Sequence, residues 1–130
     1  TTPFDLAKEN GRPLNLENLS ARILARHGFP VEQNPPVYYA DFSLANRRPD
    51  YRIGDYIFDH YAPRAGTPLY EIRAVLVRKV GRGQANRFVV NLSDSEHAAA
   101  DLGHFLREHK PRRVQQVFAI EGQSVTQVFP

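Results

Sequence analysis

At 130 residues and a formal net charge of +3, the chain is one domain, long enough to bury roughly two thirds of its unfolded surface in a single core. The absence of Cys excludes a disulfide framework and a Cys-based zinc site, and no apolar run approaches the ~20 residues of a membrane helix. The modest cationic excess, carried mainly by Arg, permits a polyanionic partner without demanding one, and the start at Thr1 without an initiator Met suggests a fragment or processed domain.

Residues 1–13 carry Pro3, Gly11 and Pro13 with little periodicity and read as an N-terminal arm or linker ahead of a domain over 14–130. From Asn15, a plausible N-cap, Leu16, Leu19, Ile23, Leu24 and His27 recur at helical spacing, and Gly28 supplies the stop. Glu17 in the first turn suits the helix dipole and could also face the segments that follow. Phe29 to Asn34 reads as a short strand ended by Pro35-Pro36, and Val37 to Phe42 as a Tyr-rich extension.

The stretch from Arg48 to Tyr61 organises the rest. Two runs rich in Tyr, Ile and Phe flank Gly54-Asp55, a dipeptide suited to a tight turn, so a β-hairpin is expected. Asp50 opens one strand and Asp59 closes the other, and residues equidistant from the turn lie side by side. Two acids so placed repel unless a cation sits between them, which is the chemistry of a divalent-metal site. His60, next in the strand, should point to the opposite face from Asp59.

Ala62 to Pro68 is a loop by composition. Leu69, Ile72, Leu76 and Val80 then repeat at helical spacing, with Gly81 and Gly83 as terminators. Arg87 to Leu92 is nearly continuous apolar, as in a strand buried on both faces. Ser93 to His109 reads as a second amphipathic helix opened by the capping segment Ser93-Asp94-Ser95-Glu96. Val114 to Ile120 is a strand, Glu121-Gly122-Gln123 a turn, and Ser124 to Phe129 a last strand. The order helix, strand, hairpin, helix, strand, helix, strand, strand predicts an α/β fold with a mixed sheet flanked by helices. Arg47-Arg48, Arg73, Arg78-Lys79, Arg82, Arg87 and Lys110-Arg112-Arg113 recur near these segments, and the planar fork of Arg suits phosphate.

A helix bearing an acid, then Pro49-Asp50, then a second acid at a strand end, then a helix and a strand, resembles the PD-(D/E)xK nuclease core. Glu17-Asn18, Val31 to Pro35, Pro49-Asp50-Tyr51, Phe58-Asp59 with Tyr61 and Pro63, Lys79-Val80, Gly83 to Arg87 and Val90-Asn91-Leu92 look like the C-terminal tRNase toxin domain of CdiA-type contact-dependent growth inhibition effectors. The resemblance implies a monomeric toxin, part of a secreted, cell-surface bacterial effector, that acts on tRNA in the target cell's cytoplasm and forms a heterodimer with a cognate CdiI-type immunity protein. It further implies Asp50 and Asp59 as ligands of Mg²⁺ or another divalent metal, with Glu17 a third acid. One departure stands out: the motif Lys belongs two residues after the second acid, where this chain has Tyr61. Lys79 is the candidate substitute.

On that reading a carboxylate-held metal activates water and offsets phosphate charge, Lys79 assists, and Tyr61 lines the site. Gln84, Arg87, Arg48 and Arg78 are expected to contact nucleic acid. Two alternatives use the same residues differently. A metal-free ribonuclease would take the RNA 2′-OH as nucleophile, with His60, Tyr61 and Arg as acid, base and charge stabiliser. A non-catalytic binding module would carry the acids as surface charge only. The immunity protein is expected to meet the Arg-rich face with acidic residues.

Overall fold

The computed structural model describes residues 3–33 and 50–130. The chain runs through α1 (Pro3–Arg26), β1 (Val31–Gln33), β2 (Tyr51–Ile53), β3 (Tyr56–Tyr61), α2 (Leu69–Gly81), β4 (Arg87–Asn91), α3 (Ala99–Glu108), β5 (Gln116–Glu121) and β6 (Ser124–Phe129). Among the described residues the strands form one six-stranded sheet in chain order, with β3, β4 and β5 parallel and the outer strands antiparallel. The expected element order and mixed α/β class are both found. The extension over 37–42, together with Arg47 and Arg48, lies outside the described residues.

Alternation along the central strands divides the core into two layers. Phe88 and Val90 of β4 and Val117 and Ala119 of β5 pack with Ile72 and Leu76 of α2 and Leu102 and Leu106 of α3. Their neighbours Val89, Phe118 and Ile120 point the other way and meet Ile23 and Leu24 of α1, with Tyr51, Ile53 and Phe58 of the hairpin. The helices thus cover both faces of the parallel strands, which explains why β4 and β5 are apolar almost without interruption.

The hairpin closes as the sequence predicts. Ile53 pairs with Tyr56 across the two-residue loop Gly54-Asp55, and Gly54 takes φ +60°, a conformation open to Gly at no steric cost. Tyr51 pairs with Phe58, so the next step of the ladder sets Asp50 against Asp59.

Two boundaries depart from expectation. The helix expected to start at Asn15 begins at Pro3 and runs through the stretch read as an unpatterned arm. Pro at a first helical position loses no hydrogen bond, so Pro3 marks a helix start there rather than a break. The second correction concerns α3, which starts at Ala99 rather than at Ser93. The polar residues ahead of it form local turns instead: Ser93 N–H donates to Asn91 Oδ1 (2.8 Å), and His97 N–H to Ser95 Oγ (3.1 Å). The helix N-terminus is capped from a distance, with Ala99 N–H donating to Glu121 Oε1 at 2.8 Å.

Candidate active site

Three carboxyl groups meet where α1 passes the open end of the hairpin. Glu17 comes from α1, Asp50 from the residue before β2, and Asp59 from β3, where it is 5% exposed. A side-chain hydrogen bond joins Glu17 to Asp50 and another joins Asp50 to Asp59. Asp50 Oδ2 also accepts His60 N–H at 2.8 Å, which ties the start of β2 to β3. Tyr51, fully buried, donates its hydroxyl to the Glu17 carbonyl and so fixes the turn of α1 that carries the acid.

Lys79 reaches this group from the last turn of α2. Its Nζ donates to Asp59 Oδ2 at 2.9 Å, an ion pair whose side chains are 21% and 7% exposed. Ile72, Leu76 and Lys79 lie on one stripe of α2, so the two apolar residues that bury the helix also aim the amine at the sheet. Lys79, twenty positions after Asp59 in the chain, is thus in hydrogen-bond contact with the second acid of the hairpin.

Crowding perturbs the acids. Burial, then the hydrogen bond and charge of Asp59, push Asp50 up to about 8 against the pull of the His60 N–H. Burial likewise raises Glu17, opposed by its hydrogen bond to Asp50 and reinforced by the charge of Asp59. Asp50 therefore holds a proton at neutral pH, and Asp59 faces the Lys79 ammonium. Glu17 Oε1 is buried and has no hydrogen-bond partner. Among the described residues no three His, Asp or Glu side chains converge as a ready-made metal cage.

His60 lies on the opposite face from Asp59, as strand alternation requires. Its Nε2 is 2.9 Å from Ser20 Oγ on α1, and Asn91 Nδ2 at the end of β4 donates to the same oxygen at 2.8 Å. His60 Nε2 and Asn91 Nδ2 thus share the one hydroxyl oxygen of Ser20. Burial, with the nearby cations Lys79 and Arg12, lowers His60 to about 4 despite the charge of Asp59, so the ring is neutral. Tyr51 meets it edge-on, ring centroids 5.9 Å apart at 85°.

The remaining residues singled out from sequence fall elsewhere. Tyr61 packs against the α2 and α3 core, and burial and the charge of Glu71 raise its hydroxyl; no hydrogen bond joins it to the carboxylates. Gln84 follows α2, its N–H donating to the Lys79 carbonyl at 3.1 Å and its Oε1 buried without a partner. Arg87 is bound to Gln115 and Gln116 (2.6 and 3.1 Å) and stacked 3.9 Å over the Tyr56 ring. Arg78 pairs with Glu71 at 2.8 Å in solvent, and Arg48 is outside the described residues.

Ser20, Asn91 and Arg12 were not singled out from sequence. Asn91 interrupts a strand buried on both faces, and Ser20 falls on the apolar stripe of α1. A buried polar side chain in either place needs a partner, and here each is the other's. Arg12 pairs with Asp94 (2.9 Å) and donates to the Ala62 carbonyl (3.4 Å), bracing α1 against the loops that follow β3 and β4.

Fold and site together define a mixed α/β domain with a buried carboxylate cluster answered by one lysine. Residues 47–125 match the contact-dependent growth inhibition CdiA C-terminal domain family. Over 91 residues, 70% of its length, the chain is 43% identical to the tRNA nuclease CdiA-2 of Burkholderia pseudomallei strain 1026b, and it spans 3% of that much longer protein. Its fold matches a CdiA-CT/CdiI toxin and immunity complex from Burkholderia pseudomallei with a TM-score of 0.82 and 33% identity, covering 93% of this chain and 87% of the other. The chain belongs to the CdiA C-terminal toxin domain family.

Proposed function

We propose that this domain is a toxin that cleaves tRNA by metal-assisted phosphodiester hydrolysis, with Asp50 and Asp59 as metal ligands, Glu17 beside them and Lys79 at the scissile phosphate. The observation that carries the reading is the Asp59–Lys79 pair at 2.9 Å packed against two further carboxyl groups. On this reading the site is PD-(D/E)xK-like, with its lysine supplied from the next helix. The name of the Burkholderia relative, a tRNA nuclease, supports the substrate class.

The donor set fits a hard cation. Asp50 keeps its proton to about pH 8 because burial and a neighbouring anion oppose ionisation, and the buried Glu17 Oε1 lacks a partner. Mg²⁺ takes one or two carboxylates and completes its shell with water and substrate phosphate, so a three-acid cage is not required. When bound, such an ion lowers the pKa of a water molecule and offsets phosphate charge. Asp50 and Asp59 would hold the ion, Asp50 as its carboxylate, and Lys79 would stay beside Asp59. The Lys79 ammonium holds three donors that can turn from Asp59 to a phosphate oxygen, stabilising charge as it develops. Gln84, fixed at the end of α2, offers an amide to the same strand.

A metal-free mechanism through His60 and Tyr61 is disfavoured by their surroundings. His60 is neutral and its Nε2 is engaged by Ser20, while Tyr61 is half-buried against the core. In the cell the domain would be carried by a surface effector, enter the target cytoplasm and be neutralised in a heterodimer with a CdiI-type immunity protein.

Purified domain incubated with total bacterial tRNA should cleave it in Mg²⁺, and not in EDTA or as Asp59→Ala. Cleavage that persists in EDTA would remove the metal from the mechanism. Intact tRNA in Mg²⁺ with folded wild-type protein would favour a non-catalytic module.

A further inference from the structure

Two clefts lie along α2, and none of the three clustered acids lines either. One, of about 460 Å³, is lined by Tyr70, Arg73, Phe105, His109 and Lys110. The other, of about 210 Å³, is lined by Val77, Val80, Gly81, Arg112 and Arg113. Residues 70, 73, 77 and 80 recur at three- and four-residue spacing and so form one stripe of the helix. The opposite wall of both clefts is the connection from α3 to β5. None of the lining residues is acidic.

That connection is built to hold cations outward. Arg73 spends its guanidinium on main-chain carbonyls, donating to His109 O (2.7 Å) and Lys110 O (3.0 Å), which pins the loop to α2. Pro111 is buried, and Val114 N–H donates to Pro111 O (3.2 Å), closing a turn with Arg112 and Arg113 at its two central positions. Arg113 takes φ +65°, a conformation Gly adopts freely and a residue with a Cβ adopts only at a cost. Both arginines are exposed, and among the described residues neither side chain has an ion-pair partner. A strained turn that displays two unpaired guanidinium groups gains nothing from packing. Its chemistry points outward.

The groove offers guanidinium forks and an ammonium over the apolar floor of Val77 and Val80, with Tyr70 68% exposed at its far end. A nucleic-acid strand supplies the complement: phosphates for the cations and a base or ribose for an aromatic face. We propose that this groove is a second RNA-contacting surface, which grips the backbone of the tRNA body while the scissile strand lies at Asp59 and Lys79. The inference rests on the reading of the domain as a tRNA nuclease and extends it to how a folded RNA, rather than a short strand, is selected.

The test is binding of fluorescently labelled tRNA over a salt series, comparing two proteins that both carry Asp59→Asn to keep the RNA whole. One is otherwise wild type, and the other adds Lys110→Gln, Arg112→Gln and Arg113→Gly. The glycine relieves the φ of position 113, so the variant should melt no lower than its parent. The triple change should weaken tRNA binding by about tenfold or more and reduce the slope of log affinity against log salt by about two to three. Equal affinity with an equal slope overturns the groove while leaving the nuclease reading in place. If the parent itself does not bind tRNA, the nuclease reading fails and the groove with it. Loss of binding to a cognate CdiI-type immunity protein with tRNA binding unchanged would make the groove a protein-docking surface and refute the inference.

Discussion

Replacing Lys79 by Met keeps an unbranched side chain and removes the ammonium that faces Asp59 at 2.9 Å. At an effective dielectric near 20, two unit charges at that distance attract by about 6 kcal/mol. Lys79 is 21% exposed, so solvent screens part of this, and the pair has already been desolvated. The net loss should be about 3 kcal/mol, toward the lower end of what breaking a buried pair costs. In a domain of this size that lowers Tm by about 10 °C. The double variant Asp59→Leu/Lys79→Met removes both charges and should return to within about 1 kcal/mol of wild type, a coupling of about 2 kcal/mol or more. Urea denaturation at pH 7 measures all members of the cycle, and tRNA cleavage should be lost in all three variants while the wild type retains it. If Lys79→Met costs less than about 0.5 kcal/mol, or the double variant loses the sum of the singles, then Asp59 does not carry the charge that the site is built around.

Asp50 makes stability depend on pH. Its folded pKa of about 8 lies above the ~3.9 of an unfolded Asp, so the folded state holds the extra proton between those values. This contribution is fully present below pH ~4, is lost as pH rises through about 8 and is flat beyond, and Asp50→Asn should flatten that slope in urea titrations. A divalent ion that displaces this proton should raise the unfolding midpoint more at pH 8 than at pH 6, and an equal rise at both would count against Asp50 as a ligand. Ser20→Ala leaves the Asn91 amide and the His60 ring without their shared partner and should cost about 2 kcal/mol by thermal melting; a loss under about 0.5 kcal/mol would mean that water substitutes for the hydroxyl. Glu121→Ala uncaps α3 and should cost about 1 kcal/mol without changing tRNA cleavage per folded molecule.

The site was legible where its geometry is local. Gly54-Asp55 sets a two-residue loop, a two-residue loop sets the register, and the register brings Asp50 to Asp59 without reference to the rest of the chain. Lys79 was reached only through the resemblance, as a substitute for the lysine missing at Tyr61; the helical pattern set it apart from the apolar stripe, yet it follows Leu76 by three positions and meets Asp59. The start of α3 was not legible, because Ser93-Asp94-Ser95-Glu96 satisfies every local rule for a helix start and the actual cap, Glu121, comes from a strand end twenty-two residues after Ala99. Arg87 shows the same limit from the other side. Its position before a buried strand is compatible with phosphate binding, and the two glutamines and the tyrosine ring that occupy it come from β5, the loop before it and the start of β3.

The least legible part of the site is the part that holds it together. Ser20, His60 and Asn91 look unrelated in sequence, yet their hydrogen bonds join α1, β3 and β4 through one buried oxygen. The same three positions are bonded outward. Asn91 accepts from Ser93, His60 donates its backbone N–H to Asp50, and α1 is held again three residues before Ser20, where Tyr51 bonds the Glu17 carbonyl. Each carboxylate of the cluster is thus on, or bonded to, an element that this network fixes. The acids repel one another once ionised, and a rigid frame on the opposite face of the sheet then keeps them close where their own hydrogen bonds no longer do. Loosening that frame should therefore move Glu17 relative to Asp50 before it unfolds the domain. Ser20→Ala should accordingly lose cleavage activity at temperatures well below its melting transition, with the fold still intact by circular dichroism.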